Sequence, residues 1–236
     1  MSHPEHLAHL AKGVNHWNAW RQAEPNVYPD LTGLDLRQQT LNRINFSQTN
    51  LARATFVGCS FRHALFRGAT LAKANVSQCN LLGANFYGAD LTEIILCHSN
   101  LFGSDLRRVL LQKGNLEGVN LFGAYITGAD LRHSNLQGAN LALAECHRTQ
   151  FQHTNLAAVD FSGANLEESN LSNANLSKAI VLGTHLKGAK LDGAKLAFVE
   201  IRPALLEQAD FSKANLENMV PLRLEPLPPV PTLKAS

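Results

Sequence analysis

An apolar side chain occupies every fifth position from Leu31 to Leu216, thirty-eight times without a break in register. The series runs Leu31, Leu36, Leu41, Phe46, Leu51, Phe56, Phe61, Phe66 and on through Leu206, Phe211 and Leu216, with Cys146 as the unusual occupant. An α-helix repeats its apolar face near 3.6 residues and a half-buried strand every second residue, so a period of five fits neither. The backbone must turn once per repeat. Two positions before each beat lies a second, mostly small set, including Ala54, Cys59, Ala64, Ala69, Ala74, Cys79, Ala84 and Ala89. Large and small side chains thus alternate into one narrow interior.

Glycine marks the turns. Fourteen of the sixteen glycines fall two residues after a beat, and only Gly13 and Gly114 lie elsewhere. A type II turn needs positive φ at its third residue, which glycine adopts without steric cost, so each repeat reads as a short bridge ending in a corner. Four corners close a square coil of twenty residues, and residues twenty apart become neighbours. Thirty-eight beats make about nine and a half coils, and at about 4.8 Å per coil a rod about 45 Å long. Each coil buries about four large side chains at roughly 1.5–3 kcal/mol apiece, enough for the stack to hold without disulfides.

The units CNLLG, ANFYG, SNLFG, LQGAN and SGANL resemble the A(D/N)LxX unit of the pentapeptide-repeat proteins. The resemblance covers residues 29–219 and implies an all-β solenoid: a right-handed quadrilateral β-helix whose central Leu or Phe and preceding small residue point inward. Asp90, Asp105, Asp130, Asp160 and Asp210, just before the beat, stand where that family uses Asp or Asn interchangeably.

Residues 1–28 form a separate N-terminal segment. Positions 4–21 read as one amphipathic helix, with Pro4 in the first turn, Leu7, Leu10, Val14 and Trp17 on one stripe, and Pro25 and Pro29 ending it. GVNHWNAWRQAEPNVYPDL is similar to the helical leader of cyanobacterial pentapeptide-repeat proteins, which implies an α-helical cap over the first coil with Trp17 as its plug. An uncovered coil would expose unpaired strand edges. Residues 220–236 hold five of the nine prolines and cannot continue the β-helix; Pro226 to Pro231 includes a PxxP pattern, here taken as the end of the rod rather than a ligand for an aromatic groove.

A chain of 236 residues with 45% hydrophobic and 17% charged content is of ordinary single-domain length. It has no apolar run near the 20 or so residues of a membrane span, and MSHPEHLAHL lacks the basic start and apolar stretch of a secretory signal. A cytoplasmic location is expected. Cys59 and Cys79, twenty apart at the small inward position, are expected to stack as reduced core thiols.

Sorting outward residues by steps of twenty isolates a few columns. Leu82, Phe102 and Phe122 form an exposed apolar ladder with Leu143 and Leu182 further along and Tyr87 extending its edge; large exposed apolar patches tend to mark interaction sites. A basic ladder carries Arg53, Lys73, Glu93, Lys113, His133 and His153 with Arg132 alongside. Arg67, Tyr87, Arg107, Thr127, His147 and Glu167 form a column that changes sign. His133 and His153 stack and lack a carboxylate or thiol to complete a metal site, while His3, His6 and His9 are expected on the wet side of the helix. No metal or cofactor is expected.

No nucleophile, base and orienting acid gather on one face, and no glycine-rich phosphate loop is present, so an enzyme is not expected. The expected function is a non-catalytic interaction or scaffold protein presenting rigid faces to a protein partner or, as a homodimer, to itself. Some family members protect DNA gyrase by resembling duplex DNA in shape and charge, which is the alternative the resemblance offers. Such mimicry needs a strongly acidic surface, whereas this chain carries a net charge of +2 and a pI near 8.4, and its register has no inserted loop. Nucleic acid is not an expected partner.

Overall fold

The computed structural model describes residues 3–201, 209–210, 213–215, 217 and 220–221. The beats at Leu206, Phe211 and Leu216 and the proline-rich stretch Pro226 to Pro231 lie outside the described residues.

Each five-residue unit contributes one extended residue, immediately before the beat, which bridges in parallel to the residue twenty further on. Asp30 pairs with Asn50, Asn50 with Thr70, and the series runs unbroken to Asn175 with Lys195. The turn occupies the two residues after the beat. From Leu31 to Leu176 the N–H of every beat donates to the carbonyl nineteen residues on, as Leu71 does to Asp90 at 2.7 Å. The corner N–H does the same, as Lys73 to Thr92 at 2.9 Å, and Ala74 closes the turn onto Leu71 at 2.9 Å. The backbone polar groups of an almost strandless chain are thus satisfied coil to coil. The register of twenty recurs in the two named strands, β1 (Glu200–Ile201) and β2 (Val220–Pro221), where Glu200 pairs with Val220.

The beats fill the interior. Phe46 sits against Phe56, Phe61 and Phe66, and Phe66 stacks on Phe86 at 4.7 Å with nearly parallel rings. The small inward column has a second use. Ser99, Ser134, Thr149, Thr154 and Thr184 are buried, and each hydroxyl donates to a carbonyl at 2.6–2.9 Å, twenty-three residues back. The Cys59 and Cys79 thiols donate the same way to Leu36 and Phe56. All four cysteines are free, and burial pushes the Cys79 thiol up to about 12.

Corner geometry is more permissive than glycine placement implies. Among the described residues, twenty non-glycine residues hold φ between 55° and 62°, including Lys73, Leu143 and His153, in the conformation Gly103 adopts at 60°. Each left-handed corner bearing a side chain costs of order 1 kcal/mol, offset where its N–H bonds to the next coil. Gly114 is the exception of another kind: it occupies the small inward column, where a Cβ would lie 2.6 Å from a Leu111 methyl.

The N-terminal segment corrects the single helix read over 4–21. It forms α1 (Pro4–Ala11) and α2 (Val14–Ala23), separated at Gly13, whose φ of 90° no helix accommodates. The break folds α2 onto the first coil. Trp17 is fully buried, its ring meets Phe46 at 5.5 Å, and its indole N–H donates to the Asn45 carbonyl at 2.8 Å. Asn18 and Arg21 add hydrogen bonds to Arg43 and Ser47 carbonyls. Leu10 is buried and Val14 packs on the core, while Leu7 is 36% exposed.

Because Phe66 touches three other core rings, Phe66→Ala should destabilise the chain by about 3–5 kcal/mol. Urea unfolding followed by circular dichroism checks this; the exposed Phe102→Ala should cost far less.

Candidate interaction surface

The outward residues stand in columns, one per corner position and one per bridging position, because successive coils superpose. Most bridging positions are filled by Asn and Asp, for a local reason: Oδ1 there accepts the N–H of the residue two on, as Asp90 does from Thr92 at 3.0 Å, Asp105 from Arg107 at 3.1 Å and Asp160 from Ser162 at 2.8 Å. These carboxylates belong to the turn. The same side chains also stack, with Asn120 donating to Asn100 at 3.1 Å and Asn155 to Asn135 at 2.9 Å.

Leu82, Phe102 and Phe122 stand one above another at the same corner of successive coils. Phe102 and Phe122 stack with centroids 5.4 Å apart and planes 6° from parallel, Phe102 being 45% exposed. Leu82 is half-buried beside them. Buried Ala142 and half-buried Ser162 then interrupt the column, so Leu182, 50% exposed, stands apart. Leu143 leans over Gly163, where a Cβ would meet its methyl at 2.7 Å.

Tyr87 does not extend the apolar strip; arginines surround its ring, with Arg67 at 5.2 Å, Arg107 at 5.7 Å and Arg108 at 5.9 Å. Arg107 also grips Asp105 through two hydrogen bonds. Burial alone would raise the Asp105 pKa, but the hydrogen bonds and charge of Arg107 bring it below the ordinary range.

The basic ladder is partly neutralised. Lys73 pairs with Glu93 at 3.5 Å, and Arg132 with Asp130 at 2.7 Å. His133 and His153 stack face to face at 4.9 Å. Arg53 and Lys113 are exposed at left-handed corners. In the corner column beside the sign-changing one, Arg148 pairs with Glu168 at 2.6 Å.

Of the N-terminal histidines His3 is exposed, but His6 and His9 are not on the wet side. His6, His9 and His16 are half-buried between the helices: His9 stacks on Trp20 at 4.3 Å, its Nδ1 lies 3.1 Å from His16 Nε2, and His6 Nδ1 accepts the Asp30 N–H at 2.9 Å. Among the described residues no three His, Cys, Asp or Glu side chains converge as metal ligands. The sequence reading also passed over Leu65, Ile95, Leu110, Tyr125 and Ile180, which are 39–52% exposed at bridging positions. An apolar residue where Asn or Asp is the rule is the signal that finds them.

Concave features are shallow. A groove of about 490 Å³ between the helices and the first coil is lined mainly by Leu7, Leu10, Val14, Leu34, Leu36 and Leu41, and one of about 280 Å³ lies beside Arg67 and Tyr87. Neither lining brings a nucleophile, a base and an orienting acid together. No described helix is long and apolar enough to cross a membrane.

Register-twenty bridging with single-residue strands and two-residue corners defines a parallel β-solenoid of quadrilateral coil. The chain belongs to the pentapeptide-repeat family: the family model for pentapeptide repeats matches in eight copies over segments spanning 30–202. Solved structures of that family resemble it. HetL, a pentapeptide repeat protein involved in heterocyst differentiation regulation from the cyanobacterium Nostoc sp. strain PCC 7120, is 24% identical over 83% of this chain and 97% of its own, with a TM-score of 0.44. A trypsin-treated form of QnrB1, a plasmid-mediated fluoroquinolone resistance protein, is 20% identical over 80% and 89%, with a TM-score of 0.53. A thylakoid-lumen pentapeptide repeat protein from Arabidopsis thaliana is 31% identical over 50% and 71%, with a TM-score of 0.22. No curated protein matches. The solenoid is accordingly a right-handed β-helix.

Burial, then the charge of His3, holds the His6 pKa below the ordinary imidazole value. The neutral ring is the form that accepts from Asp30, so this contribution is complete above about pH 6.5 and fades as pH falls through the lower folded value. Protection of the Asp30 amide against hydrogen exchange should therefore drop between pH 7.5 and pH 5. His6→Gln, which keeps an acceptor but cannot titrate, should weaken that pH dependence.

Proposed function

We propose that this protein is a non-catalytic interaction scaffold that offers a rigid, evenly spaced surface to another protein or to a second copy of itself. The observation that carries this reading is the stacked Phe102–Phe122 pair beside Leu82. Stacked phenyl rings, Phe102 exposed and Phe122 half-buried, on a backbone bonded coil to coil are preordered, so little side-chain freedom remains to be lost on docking. Gly103 and Gly123 beside them leave the corner backbone open to close approach. Aromatic and arginine side chains dominate binding energies at interfaces, and the Tyr87 cluster with Arg67, Arg107 and Arg108 lies on the next corner.

In this reading residues 1–28 cap the first coil, with Leu10, Val14 and Trp17 sealing it, residues 29–219 form about nine and a half coils, and residues 220–236 end the rod. The protein acts in the cytoplasm, where its four thiols stay reduced. Arg53, Lys73, Lys113, Arg132, His133 and His153 serve as a solvated face. A DNA-mimicking role at gyrase is the weaker reading, because bridging-position carboxylates are engaged in turns and the net charge is +2.

The double substitution Phe102→Ser, Phe122→Ser tests the surface. The variant should keep the circular dichroism and, within a few degrees, the melting temperature of the parent, since both rings lie outside the core. It should lose at least tenfold in affinity for whatever the parent associates with, read as native mass and as proteins co-purifying from the native cell. Unchanged mass and unchanged co-purification would remove the assignment.

A further inference from the structure

The surface next to the Phe102–Phe122 pair carries a pattern that fits one occupant, and we propose that it is a second copy of this chain, laid antiparallel. The proposal rests on the reading of the Phe strip as a contact surface. The side of the coil in question has the column Asn80, Asn100, Asn120, Asn140 at its centre and the Phe column along one corner. Its middle is nearly free of charge, and depletion of charge marks the core of protein interfaces.

A two-fold axis across this side, between the levels of residues 100 and 120, is the symmetry an isologous dimer requires. It sets Phe102 of one copy on Phe122 of the other and Asn100 on Asn120. Moving outward, Leu82 faces Ala142, and on the opposite corner Gln78 faces the open Gly138. Charge agrees as well. Exposed Arg62 comes level with Asp160 of the other copy, in the adjacent column, and the symmetry makes that pair twice.

Seven coil steps separate Thr40 from Ile180 on this side, giving a side about 34 Å long at about 4.8 Å per coil. The axis falls near the middle of the described coils, so two rods overlap along most of their length.

The test uses the full chain with half-buried Cys97 replaced by Ser in every variant. In one arm native mass is measured by sedimentation at micromolar concentrations; a dimer is expected, converted to monomer by Phe102→Ser with Phe122→Ser. In the second arm Asn80→Cys and Asn140→Cys chains are oxidised separately and mixed. Residues 80 and 140 lie three coils apart within a chain, too far for a disulfide, so the mixture should give a cross-linked pair and each variant alone none. Cross-linking of either variant with itself would overturn the antiparallel register. A monomeric parent would overturn the dimer; if the Phe variant nonetheless lost a different co-purifying protein, the scaffold reading would stand without it. A dimer indifferent to the Phe substitutions would overturn both.

Discussion

Between one coil and the next, the N–H of each beat and of each corner reaches a carbonyl nineteen residues on, and the N–H of each bridging residue reaches back twenty-one. This ladder is what the remainder of the molecule depends on. It fixes the register at twenty, and with it the superposition of every side chain on its counterpart one coil away. A slip of a single residue would carry Leu and Phe outward and Asn and Lys into the interior, so the hydrophobic series and the ladder enforce each other. The left-handed corners at Lys73, Leu143 and His153 are tolerated because breaking the conformation would break the ladder as well.

Stacking also couples chemistry along the rod. A side chain in a given column sees its neighbours above and below at strand spacing, which brings like residues together: Phe102 on Phe122, His133 on His153, Asn100 with Asn120. Arg53 and Lys73 stack as like charges, but elsewhere the chain interposes something else. Glu93 stands between Lys73 and Lys113, and Tyr87 between Arg67 and Arg107, where its ring face receives both guanidinium groups. Those breaks in a column relieve like-charge repulsion, which is why charged ladders on such a rod are weak evidence of a ligand.

The architecture was legible because its signal is periodic: Leu31 to Leu216 and the corner glycines state the coil directly. The ends and the exceptions were less legible. Nothing in the spacing of Leu7, Leu10, Val14 and Trp17 distinguishes one helix from two, since Gly13 lies between turns that would share a stripe in either case, and only its φ of 90° separates them. His9 was misplaced for the same reason, because the fold at Gly13 turns it toward His16 and Trp20. The inward Ser and Thr look like mere small residues, and their donation to carbonyls of the preceding coil depends on geometry that composition does not carry. On the surface, the Phe column was found by asking which residues stack, and its end at Ala142 and Ser162 was legible in the same way.

A solenoid built this way separates surface from core more cleanly than a globular domain does. In a globular fold an exposed aromatic is usually the edge of a buried cluster, so replacing it disturbs packing and obscures its role. Here the inward set alternates at beat and small position, and the corner side chains hang outside the hydrogen-bonded frame. The frame beneath Phe102 is made of backbone bonds, Leu101 to Asn120 at 2.7 Å and Gly103 to Phe122 at 3.0 Å, which involve no side-chain atom. The side chain at 102 can therefore change while the frame persists.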